Sequence, residues 1–115
     1  MLSALKLSTL FCLLALPAAA DPPVIEAANA DGLVLSVTLS HPDTGWDHYA
    51  NSWEVRAPDG RHLDTRVLVH PHVTEQPFTR SLRLKTIPAG MTQLDIVATC
   101  NENDRSESFR IDLGG

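Results

Sequence analysis

The stretch Leu33-Val34-Leu35-Ser36-Val37-Thr38-Leu39 decides the fold. Leu33, Leu35, Val37 and Leu39 recur at every second position, with Val34, Ser36 and Thr38 between them. Successive side chains of an extended chain point to opposite faces, so this alternation describes a half-buried β-strand. Similar runs lie on either side. Val24–Ala28 precedes it as an opening edge; Trp53, Val55 and Ala57 follow, then Leu63, Val67 and Val69 facing inward on the return. Leu82 and Leu84, then Leu94, Ile96, Ala98 and Cys100, then Phe109, Ile111 and Leu113 complete the series. Asp59-Gly60 and Pro88-Ala89-Gly90 supply turns that tolerate positive φ. Helical periodicity is absent after residue 20. About seven short antiparallel strands at this spacing predict an all-β chain folded as an immunoglobulin-like sandwich.

Residues 1–20, MLSALKLSTLFCLLALPAAA, read as a cleaved signal peptide rather than as part of the fold. Lys6 gives the positive start, Leu7 to Leu16 the short apolar run, and Ala18-Ala19-Ala20 the small residues that signal peptidase requires. The run falls short of the about 20 apolar residues that a membrane span needs. The expected mature domain is residues 21–115, periplasmic or secreted, with no membrane span after cleavage. Removing Lys6 leaves eight basic residues against fourteen carboxylates, a net charge of −6, and one cysteine, Cys100. That balance argues against a nucleic-acid binder, which needs a basic face for phosphates. A single cysteine excludes an intramolecular disulfide and a multi-cysteine zinc module.

If consecutive strands alternate in direction, the loops 41–49, 70–77 and 101–105 meet at one pole. Four of the five histidines, His41, His48, His70 and His72, then gather there, and His62 lies elsewhere. His70 and His72 are two apart, which on an extended chain sets both rings on one face, roughly 6–7 Å apart at Cβ. Imidazoles so placed suit copper or zinc, with Asp43, Asp47, Glu75 and Cys100 as further ligands or supporting partners. The alternative is that these are polar loop residues whose rings bond backbone carbonyls. Trp46 and Tyr49 read either as caps over the core or as anchors for a partner, while Trp53 has the inward parity of its strand. Cys100 also has inward parity, which favours a buried, inert thiol. No nucleophile elbow, phosphate-binding glycine loop or His-Glu-x-x-His occurs, so the protein is expected not to be an enzyme.

The segments Ser40–Ala50 and His70–Arg80 resemble those of a family of small exported bacterial proteins of unassigned function. That resemblance implies the sandwich and an envelope location. The last loop, Cys100–Arg105, departs from the longer, glycine-richer loop of that family. Ser40-His41-Pro42 with Thr44-Gly45, and His70-Pro71 with Val73 and Pro77-Phe78, are more weakly similar to the Z subunit of the thiosulfate-oxidising carrier complex. Two functions follow as expectations. One is a binding module whose histidine pole takes copper or zinc through His41, His48, His70 and His72, or takes a partner. The other is a metal-free scaffold for an envelope protein, with Trp46, Tyr49, Glu75 and Phe78 as contact residues.

Overall fold

A computed structural model describes residues 21–114. The expected signal peptide lies outside the described residues. Seven strands follow in order: β1 (Val24–Asp31), β2 (Val34–Ser40), β3 (Ala50–Arg56), β4 (His62–Val67), β5 (Phe78–Arg83), β6 (Gln93–Cys100) and β7 (Phe109–Asp112). They form two antiparallel sheets, β1-β2-β5 and β4-β3-β6-β7, in the immunoglobulin-like sandwich arrangement. Among the described residues no helix is long and apolar enough to cross a membrane.

The alternation in β2 sets one inner face. Leu35, Val37 and Leu39 are fully buried, and they pack in one core with Trp53, Val55, Leu94, Ile96 and Ala98 from the other sheet. Facing sheets bury alternate residues of each strand in this way. The outward positions pair across strands instead, as Thr38 and Thr79 do through their hydroxyls at 2.6 Å. Gly32, at φ 57°, makes the tight β1–β2 turn that lets Asp31 pair with Val34.

One expected strand face is reversed. Val67 and Val69 are exposed, and Leu68 between them is buried. The cause is an irregularity on the β3–β4 ladder. Arg56 pairs with His62 but Val55 pairs with Asp64, so Leu63 is an extra residue and the parity beyond it flips. Asp64 and Arg66 thereby take the positions opposite inward-facing Val55 and Trp53.

The connections run as the alternation predicts. Segments 41–49 and 68–77 each cross between the sheets, and 101–108 joins β6 to β7. The first two and the Cys100–Asp104 turn are bonded to one another at one end of the sandwich. His72 N–H donates to Asp43, His41 N–H donates to Gln76, and Tyr49 N–H donates to Asn101.

Candidate metal centre

Asp43 is the hub of this pole. The side chain is buried, and its oxygens accept from three donors: His41 Nδ1 at 2.6 Å, Ala50 N at 2.9 Å and His72 N at 2.7 Å. Backbone N–H groups can only donate, so two of these bonds fix the carboxylate as an acceptor. With the carboxylate as acceptor, Nδ1 is the donor, and the neutral ring then has its lone pair on Nε2. That Nε2 is buried and makes no hydrogen bond. A carboxylate that orients an imidazole and presents its other nitrogen is the usual support for a metal-ligating histidine.

His48 arrives by a closed loop. Thr44 N–H donates to His48 O at 3.0 Å, and His48 N–H donates to Gly45 O at 3.2 Å. Gly45 sits at φ 141°, a conformation that L side chains rarely adopt, so the turn depends on glycine. Asn101, just beyond β6, ties the loop down. It donates through Nδ2 to Trp46 O and Asp47 O, and accepts Tyr49 N–H through Oδ1. The His48 ring meets His41 edge-on with centroids 4.6 Å apart, and its Nε2 also makes no hydrogen bond.

Cys100, the last residue of β6, completes the group. It is buried, forms no disulfide among the described residues and pairs with Ala50 on β3. One donor atom each from His41, His48 and Cys100 lies within 4.8 Å of the others. Two imidazoles and a thiol, with two ring nitrogens left unbonded in the interior, form a donor set suited to first-row transition ions such as copper, zinc or iron(II). Buried polar atoms without partners are uncommon and call for an explanation.

The other two histidines stand apart, so the expected four-imidazole set divides into two pairs. His70 is exposed, and its Nδ1 lies 3.0 Å from Pro71 O. The rings of His70 and His72 are 4.5 Å apart, but His72 stacks on Phe78 at 3.8 Å and its Nε2 accepts from Arg80 at 2.7 Å. That bond occupies the lone pair that a metal would need. Burial first, and then the Arg80 charge, hold the His72 pKa below the ordinary imidazole value. The reason for the split is local. Residues 68–77 are not a strand, and spacing by two no longer aligns side chains toward one point.

The contact residues expected of a scaffold also divide. Trp46 is 66% exposed and packs edge-on against half-buried Tyr49, with centroids 5.5 Å apart. Trp46 therefore does not cap the core. Glu75 is exposed and pairs with Arg80 at 3.3 Å. Phe78 is 1% exposed and belongs to the core, so it offers no surface to a partner. The reason is parity: Phe78 pairs with Leu39, an inward position of β2.

No protein-family model matches the chain. A protein of Halomicrobium mukohataei described as "Putative lipoprotein" is 41% identical over 68 residues, which is 59% of this chain and 33% of that protein. The chain thus spans about a third of its relative's length. Among solved structures, a superoxide reductase in its oxidised state aligns over 82% of this chain and 88% of its own, at 16% identity and a TM-score of 0.40.

Sequence reasoning left two roles undrawn. Asp43 is more than a spare ligand, and its position two residues after His41 was the available signal. Cys100 is buried by parity as expected, yet its place at the end of β6 also puts its sulfur beside two histidines.

Proposed function

We propose that this protein is a small exported metal-binding module that holds one transition-metal ion through His41, His48 and Cys100. The observation that carries the reading is the donor group of His41, His48 and Cys100 within 4.8 Å of one another, in which each histidine has a buried Nε2 that makes no hydrogen bond among the described residues. Asp43 supports it by fixing the His41 tautomer. Export is supported by the leader pattern of residues 1–20 and by the description of the Halomicrobium mukohataei relative as "Putative lipoprotein". The reading is of binding rather than catalysis. His41 and Cys100 are closed to solvent, and the His48 side chain is 14% exposed.

Calorimetric titration of metal-free protein with Zn2+, and anaerobically with Cu+ and Fe2+, tests it. One ion should bind per chain. A thiol must lose its proton to ligate, so binding should release a proton and tighten as pH rises. His48→Ala and Cys100→Ser should each abolish the tight phase, while His70→Ala should leave it intact. Absence of stoichiometric binding for all three ions would overturn the proposal.

A second reading, a scaffold for an envelope protein, is favoured by one observation. The exposed Trp46 is held on Tyr49 and anchored through Asn101. Partner binding that survives a chelator and is lost in Trp46→Ala would support it.

A further inference from the structure

His48 belongs to two donor groups. Besides His41 and Cys100, it lies with Glu102 and Asp104 in a set whose donor atoms are also within 4.8 Å of one another. Glu102 Oε2 is 3.6 Å from His48 Nε2. Exposure falls from the outer group to the inner one. The Glu102 side chain is 59% exposed and that of His48 14%, while His41 and Cys100 are both buried. The outer group offers carboxylate oxygens and the inner one a softer thiol.

The turn after β6 builds the outer group. Cys100 N–H donates to Asp104 O, and Asn103 N–H donates to Cys100 O, both at 3.0 Å. Asn103 takes φ 66°, so the chain reverses within four residues. Asp104 also receives Asp21 N–H on Oδ2 at 3.3 Å, which tethers it at the base of the turn. Glu102 stands at the tip.

We infer that Glu102 and Asp104 are an outer station that captures a divalent cation and passes it through His48 to the inner donors. The inference rests on the metal-binding reading above. An acidic pair alone would carry no such meaning. What distinguishes this one is the shared His48 and, behind it, the fully buried His41 whose Nε2 has no partner.

Transfer is a ligand exchange. The cation, held by the two carboxylates and His48, keeps its His48 bond while His41 and Cys100 displace the carboxylate oxygens. The Cys100 S–H bond breaks as the sulfur–metal bond forms. The proton leaves to the released Glu102 carboxylate and from there to water. No electron changes hands.

Stopped-flow loading of metal-free protein with Co2+, followed by the thiolate-to-metal absorption, tests the inference. Glu102→Gln should slow loading roughly fivefold or more, with the equilibrium affinity and the final spectrum unchanged within about twofold. Asp104→Asn should slow loading in the same sense. Asp59→Asn, at the opposite pole, controls for net charge and should leave the rate unchanged. An unchanged loading rate in Glu102→Gln would overturn the outer station. So would an affinity loss as large as the rate loss, because it would make Glu102 a permanent ligand. If the wild-type protein gave no thiolate absorption with Co2+ and no stoichiometric binding of Zn2+, Cu+ or Fe2+, the metal-binding reading itself would fail, which is a separate result.

Discussion

Replacing Asp43 by Asn should damage stability and the candidate site together, and the structure sets the size. The carboxylate accepts from His41 Nδ1, Ala50 N and His72 N. An asparagine keeps the shape but has one acceptor oxygen and one donor group. If its oxygen stays toward His41 and Ala50, the amide N–H2 faces the His72 N–H, donor against donor. If it flips, the amide faces Ala50 N–H and can bond His41 only by forcing the proton from Nδ1 to Nε2. Either way a buried backbone donor loses its acceptor, at roughly 1–3 kcal/mol, and the charge-assisted character of the remaining bonds is lost. A net loss of about 2–3 kcal/mol is a large share of the ~5–15 kcal/mol by which domains are stable. For a chain of this size it corresponds to a fall in Tm of roughly 10–20 °C. Metal affinity should fall about 10–100-fold, the usual effect of removing the partner that orients a ligating histidine. Scanning calorimetry and urea unfolding measure the first effect, and titration with Zn2+ the second. A variant within about 0.5 kcal/mol of wild type, the range of neutral surface changes, would refute the view of Asp43 as the hub. Lost stability with unchanged affinity would refute its role in orienting His41.

Three further outcomes follow from the same geometry. Burial and the Arg80 charge depress the His72 pKa below 6.5, so as pH falls through 6.5 the unfolded chain takes up this proton before the folded one. Stability should therefore decline from about pH 6.5 downward until the folded pKa is passed, and His72→Gln should flatten that slope in urea unfolding series. Trp46→Ala removes an exposed side chain and should change stability by no more than about 0.5 kcal/mol in urea unfolding. N-terminal sequencing of the protein recovered from the cell envelope should begin at Asp21.

Much of the fold was legible because period-two alternation and antiparallel order are both local rules. Leu35, Val37 and Leu39 specify one inner face, and alternating strand direction brings the loops after β2 and β6 and the segment before β5 to one pole. What escaped depends on events that break those rules. The extra residue at Leu63 turns Val67 and Val69 outward, and nothing in the residue types there announces a bulge. The pairing of His70 with His72 assumed an extended backbone across a segment that crosses between the sheets. His72 ends against Phe78 and Arg80, which follow it by six and eight residues, because the chain turns back before β5 begins.

The placement of Cys100 shows why core and site need not be alternatives. Inward parity on β6 makes the sulfur part of the core, and that reasoning alone favours an inert thiol. But β6 ends at Cys100, so the sulfur lies at the rim of the core, where the loops return. Asn101 then fastens the 46–49 loop over it, and Asp43 fastens the loop from the other side through Ala50, the residue that pairs with Cys100. Hydrogen bonds to backbone thus hold two imidazoles against the sulfur with none of the three donor side chains bonded to another. Among the described residues His41 Nε2 and His48 Nε2 make no hydrogen bond, and their grouping with a buried thiol is the feature that a bound ion would explain.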